Sequence, residues 1–155
     1  MSDRAQTTTL DLSQTQELQH LITVSTGFID AYIIHCYEKV PMLLPQNIVL
    51  SALDSPAHVK TVQWHDKDLP VYHVNGPAKR FGVALVIEGE QIEERFALMC
   101  EEMPKTIRIR ISEVVDDEKI SDNVSILQYV RIGDALYHVP DLAQIQSQIG
   151  ITASA

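Results

Sequence analysis

The chain reads as a series of short apolar segments separated by turn residues. Between residues 106 and 114, apolar and polar side chains alternate, with Ile107, Ile109 and Ile111 on one side. This alternation predicts a half-buried strand whose other face, with Arg108 and Arg110, meets water. Residues 83–87 are apolar throughout, which predicts a strand buried on both faces. Other short segments with strand-like composition cover residues 28–37, 42–44, 48–53, 59–65, 69–74, 95–100, 126–132 and 135–139.

Two of these strand pairs are separated by short acidic turns, one at residues 66–68 and one at Gly133-Asp134. A helical pattern follows the last strand. Pro140 is expected as its first residue, and Asp141 favours the positive end of the helix dipole. Leu142, Ile145 and Ile149 would form its buried stripe.

These elements predict an all-β protein with minor helices and one closing helix. Closely spaced short strands are typical of barrels or sandwiches and not of a βαβ architecture. Residues 1–27 form a polar extension, expected to be partly disordered with a possible short helix after Ser13. Residues 151–155 are expected to be a C-terminal tail.

Two segments of the chain resemble each other. Residues 62–74 and 130–139 both contain a strand, an acidic turn, and a strand that ends in an apolar residue followed by Tyr-His-Val. Chance could produce so short a similarity. If the repeat is real, the chain consists of two similar β subdomains side by side, and the seam between them is a natural place for a partner.

Charge and hydropathy narrow the functional classes. The 155 residues carry a formal net charge of -9, without a local cluster of Lys and Arg. Such a surface repels nucleic acid and anionic membranes, so neither is expected as a partner. The first residues lack the apolar core of a signal peptide, and no apolar run reaches the roughly 20 residues of a membrane span. We therefore expect a cytoplasmic protein without membrane insertion.

The sequence contains no recognisable catalytic or metal-binding motif, so we expect no catalytic residue, no metal site and no cofactor. Cys36 and Cys100 lie far apart among apolar residues and are expected to be buried, reduced thiols. Two alternatives stay open: a small β-barrel that binds a ligand, or a thiol enzyme that uses Cys36 or Cys100 with a histidine. A scaffold that self-associates through strand edges is a third.

The ordered set of segments resembles the CheW-like domain of bacterial chemotaxis adaptors, from about residue 29 to residue 149. The pieces that carry the resemblance are Met42-Leu43-Leu44-Pro45, the stretches 48–53, 59–62 and 69–74, the apolar stretches 83–87 and 96–103 with Glu101, and finally 129–134 and 139–142. The Leu-Leu-Pro strand is also similar to the ChpC-type adaptors of pilus-controlling, twitching-motility systems.

This resemblance implies a single domain over residues 28–150, built from two side-by-side, five-stranded SH3-like β-barrel subdomains with a C-terminal helix. It implies a non-catalytic scaffold protein of signal transduction. Its expected partners are a CheA-type histidine kinase and a methyl-accepting chemoreceptor or another protein of the chemoreceptor array.

Alignment with the family also suggests site residues. For the kinase side these are Val49, Ser51 and Leu53. For the receptor or second-partner side they are Trp64, His65, Asp66, Lys67, Val130 and Gly133. Trp64 could equally be a core residue.

Three positions depart from the family pattern. Asp66-Lys67 stands where the family has a tight Arg-Gly turn, Thr61 replaces a glycine, and Ser51 replaces an acidic residue. Because aspartate cannot imitate the planar fork of arginine, we expect an adaptor that keeps one interface and has changed the other.

Overall fold

The computed structural model describes residues 27–119 and 122–150 and shows a mostly β protein. The predicted N-terminal helix and C-terminal tail lie outside the described residues. The strands are β1 (Phe28–Cys36), β2 (Lys39–Pro45), β3 (Val49–Pro56), β4 (Thr61–Trp64), β5 (Lys67–His73), β6 (Phe81–Ile87), β7 (Phe96–Cys100), β8 (Lys105–Arg110), β9 (Val114–Asp117), β10 (Ile126–Ile132) and β11 (Ala135–Pro140). Helix α1 (Leu142–Gln148) follows. No helix in the described part of the chain has the length and apolar character to cross a membrane.

The strands form two sheets. One has six strands in the order β8-β1-β2-β11-β10-β9, and the other has five in the order β3-β6-β7-β5-β4. Most neighbours are antiparallel, but β2 and β11 are parallel, as are β5 and β7. The six-stranded sheet therefore joins the first two strands of the described chain to its last four.

The core has two layers, one on each face of β6 and β7. Between the sheets, residues of β1 and β2 pack on Leu85, Ile87 and Phe96, and Ile145 of α1 completes this layer. On the other face, the five-stranded sheet curls into a half-barrel around a second cluster, which includes Val71 and Val86. The prediction that residues 83–87 are buried on both faces is confirmed for residues 84–87.

The two sheets repeat the same pairing pattern. In the five-stranded sheet, the hairpin β4–β5 joins β7 in parallel, and β7 continues through β6 to β3. In the six-stranded sheet, the hairpin β10–β11 joins β2 in parallel, and β2 continues through β1 to β8. His73 lies opposite Met99 and His138 opposite Met42, so the two similar sequence segments occupy equivalent places.

One turn and one strand predicted from the sequence differ from the structure. The first acidic turn is not residues 66–68 but a two-residue turn at His65-Asp66, because Trp64 pairs directly with Lys67. The strand predicted over residues 106–114 is interrupted by a 3₁₀ turn at Ile111–Glu113 and continues as β9.

Helix α1 begins two residues later than expected, at Leu142. Pro140 ends β11, and Asp141 is the N-cap, whose side chain accepts a hydrogen bond from the Gln144 backbone NH at 3.2 Å. The predicted stripe is confirmed, since Ile145 is buried and Leu142 and Ile149 pack against the core between the sheets.

Candidate interaction surfaces

Strand β3 forms one edge of the five-stranded sheet. It pairs with β6 on one side, and in the described part of the chain no strand covers its other side. A free edge of eight residues presents unpaired backbone NH and carbonyl groups to a partner. This strand carries the three residues that alignment assigned to the kinase side.

A bulge separates those three residues onto different faces. The register of β3 against β6 shifts between Val49 and Ser51, so that Val49 lies opposite Ile87 and packs into the core between the sheets. Leu53 packs instead into the core of the half-barrel, and Ser51 is half-buried. All three face the interior more than the solvent.

The exposed side chains of β3 are those between the aligned ones. Leu50 lies in the bulge and is 37% exposed, and Ala52 and Asp54 are also exposed. At the far end of the pairing, Pro56 lies opposite Phe81, which is 69% exposed. The sequence did not single out Leu50, because its apolar side chain stands next to the apolar Val49 and gives no polar signal of exposure. No sequence signal distinguished Phe81.

The β4–β5 hairpin places His65, Asp66 and Lys67 on the surface. His65 has a φ of 50° and Asp66 a φ of 65°, both in the left-handed region. Two consecutive positive φ angles are those of a type I′ turn, for which Asn-Gly is the usual sequence. The chain holds this turn with two non-glycine residues, which costs conformational free energy.

Trp64 packs against the core and stays partly accessible. Its side chain is half-buried and packs against the half-barrel core. Its ring also lies beside two polar neighbours, with the His65 ring centroid at 4.1 Å and the Arg95 guanidinium carbon 5.5 Å from the Trp64 centroid. Arg95 in turn donates a 2.8 Å hydrogen bond to Glu88, and this bond lowers the pKa of the Glu88 carboxyl.

The last two aligned residues lie on the β10–β11 hairpin of the other sheet. Val130 is only 3% exposed, so its side chain has almost no surface for a partner. Gly133 is exposed at the turn with a φ of 62°. Among the described residues, no hydrogen bond, ion pair or ring contact joins this turn to His65-Asp66. The structure thus shows two separate hairpin tips.

Cys36 and Cys100 are both free and buried, as predicted. Burial raises the pKa of Cys36 to about 11 and that of Cys100 to about 12. A thiolate is therefore scarce at neutral pH. Within residues 27–119 and 122–150, no group of three or more His, Cys, Asp or Glu side chains is placed to hold a metal ion.

Comparison with known proteins does not assign this chain to a family. No protein-family model matches the chain, and no curated protein matches its sequence significantly.

Proposed function

We propose that this chain is a cytoplasmic, non-catalytic CheW-like adaptor that couples a CheA-type histidine kinase to a chemoreceptor or another array protein. The observation that carries the proposal is the free edge of β3. It has an uncovered backbone and an exposed apolar side chain, Leu50, at a position next to those aligned with the kinase side of the family. An uncovered edge with apolar contacts is suited to binding a protein.

The repeated pairing pattern also supports the proposal. A hairpin, a parallel neighbour and two further antiparallel strands occur once in each sheet. We therefore interpret residues 28–150 as two SH3-like barrel subdomains of five strands each, with β9 as an additional edge strand. Each subdomain offers its own hairpin tip and its own sheet edge, so two partners can be bound without competing.

The kinase side is tested by calorimetry with the regulatory domain of a CheA-type kinase from the same organism. We expect micromolar affinity, and we expect Leu50→Lys to weaken it about tenfold because a buried apolar contact is lost. Val115→Lys is the matched control, since Val115 is also exposed but lies on β9 at an edge of the other sheet. Equal losses in both variants would contradict the assignment to β3.

The receptor side is tested at the two hairpin tips. We expect Asp66→Arg to change the affinity for a chemoreceptor tip while the fold stays intact, since Asp66 is exposed. Asp134→Arg, in the equivalent turn of the β10–β11 hairpin, separates a local effect from a general change of charge. If Asp66→Arg loses cooperative unfolding, the residue does not belong to a surface turn.

The thiol-enzyme alternative receives no support from the raised pKa values of Cys36 and Cys100. It predicts rapid alkylation with a depressed apparent pKa, whereas buried thiols react slowly and only at high pH. The alkylation rate as a function of pH distinguishes the two. The self-associating scaffold predicts oligomers without kinase, which sedimentation would detect.

A further inference from the structure

A cavity of about 310 Å³ lies where the two sheets meet. Both halves of the repeat contribute to it, since Tyr72 and His73 come from β5 and His138 comes from β11. Cys36 and Met42 are its buried apolar wall on the six-stranded sheet. A volume of this size is at the lower end of what small-molecule sites require.

Two hydroxyl groups of the cavity, those of Ser125 and Tyr72, have already used their protons. Ser125 donates to the Asn123 Oδ1 atom at 2.6 Å, which can only accept. Tyr72 must then donate to the Ser125 oxygen, at 3.3 Å. The remaining lone pairs of the Tyr72 oxygen are acceptors. The wall formed by Tyr72 and Ser125 therefore offers acceptors to a ligand, and the remaining hydroxyl of the cavity, that of Tyr37, belongs to a side chain that is 45% exposed.

The buried histidine offers an acceptor as well. His138 is 3% exposed, and its Nδ1 lies 2.8 Å from the Val40 carbonyl oxygen, which can only accept. The proton is therefore on Nδ1, and Nε2 keeps a lone pair. Burial lowers the pKa of His138 and outweighs the hydrogen bond to Val40, which raises it, while Lys39 lowers it further, so the neutral ring is favoured at neutral pH.

At the rim, Glu38 adds a carboxylate. Lys39 lies there too, and its positive charge acts on Cys36 and His138, but its side chain is exposed, so water and salt screen much of that charge. The chain as a whole has a net charge of -9, which further favours a positive ligand.

We propose that this seam cavity binds a small organic ammonium ion, whose NH groups donate to these acceptors and whose short apolar body packs on Cys36, Met42 and Ile126. Nothing in the proposal depends on the adaptor function. If both hold, the ligand lies between the two subdomains and can bias how they are held together.

Cyclohexylammonium is the probe, and cyclohexanecarboxylate, of similar shape and opposite charge, is its control. Binding is followed through the methionine methyl signals of the full chain. Met42 lies in the cavity, whereas Met103 is 47% exposed outside it and reports non-specific attraction to an acidic surface. We expect a saturable shift of Met42 alone with a millimolar or lower Kd, and at least about tenfold weaker binding of the carboxylate.

Two variants locate the site. Ile126→Phe fills the cavity and is expected to abolish binding, while Glu38→Gln, at an exposed position, should weaken it about threefold. The proposal is overturned if cyclohexylammonium does not bind, if the carboxylate binds equally well, or if Met103 shifts as much as Met42. Should Ile126→Phe not fold, the methyl shifts and Glu38→Gln decide the question.

Discussion

The two equivalent hairpins differ in how their turns are held. In β4–β5 the turn residues His65 and Asp66 both have positive φ angles, which strain non-glycine residues. In β10–β11, Gly133 takes the positive φ, and a Cβ atom added there would meet no atom within 4 Å. The turn of β10–β11 is therefore unstrained, because glycine adopts a positive φ easily. The turn of β4–β5 exposes two polar side chains, and its backbone strain lowers the stability of the fold.

The two equivalent histidines show the same contrast. His73 is exposed at the end of β5, whereas His138 is buried and hydrogen-bonded to Val40. His138 lies opposite Met42 in the register that ties β11 to β2. We infer that β10–β11 mainly holds its sheet together, while β4–β5 is the hairpin free for recognition.

The largest expected difference is between the two histidines. His138→Ala should lower the free energy of unfolding by about 2–3 kcal/mol, because it leaves a cavity and an unpaired Val40 carbonyl. His73→Ala should cost less than about 1 kcal/mol at its exposed position. Denaturant unfolding measures both, and equal costs would remove the contrast.

The next effect is at the glycine turn. Gly133→Ala should cost about 1 kcal/mol, entirely through backbone strain, since the added methyl group has open space. Asp134→Ala, at the neighbouring position without a positive φ, is the control and should change the free energy of unfolding much less. Thermal unfolding of both variants is the measurement. A neutral Gly133→Ala variant would show that the turn is not strained.

The pH dependence of the free energy of unfolding is a further test of the difference between His138 and His73. Burial lowers the pKa of His138 in the folded state, so the unfolded chain, with a histidine pKa near 6.5, binds the proton more readily. The neutral ring contributes fully to the free energy of unfolding above about pH 6.5, and this contribution is lost as the pH falls below that value. Unfolding curves should show this loss in the wild type, and a reduced loss in His138→Ala. His73, whose pKa burial also lowers, accounts for part of the remaining slope.

The smallest effect is a gain. Asp66→Gly should stabilise the protein by about 0.5 kcal/mol, because glycine adopts a φ of 65° without strain but is more flexible in the unfolded chain. Asp68→Gly, within strand β5, should instead destabilise. The same Asp66→Gly protein should bind the receptor partner differently, which links the strained turn to recognition. Stabilisation by both substitutions would argue against a strained turn.

Local sequence patterns predicted much of this fold. Residues 126–132 form β10 with the bounds expected, and the apolar stripe of α1 packs as its spacing required. The repeat ending in Tyr-His-Val also predicted that His73 and His138 occupy equivalent positions in the two sheets. Patterns of this kind depend on neighbouring residues, so a single chain is enough to reveal them.

The candidate site was less accessible to such reasoning. The bulge at Leu50 turns Val49 away from Ser51 and Leu53, and it arises from the register against β6. The parallel pairing of β2 with β11 joins distant parts of the chain, and it creates the cavity that Met42 and His138 share. Both features are set by non-local contacts, which no local periodicity encodes.

The most direct test of the adaptor proposal is amide hydrogen exchange of the full chain, alone and with the regulatory domain of a CheA-type kinase. We predict that binding slows exchange along β3, whose outer NH groups are uncovered in the described chain, and leaves β9 at its original rate. Unchanged exchange along β3, or protection confined to β9, would contradict the account.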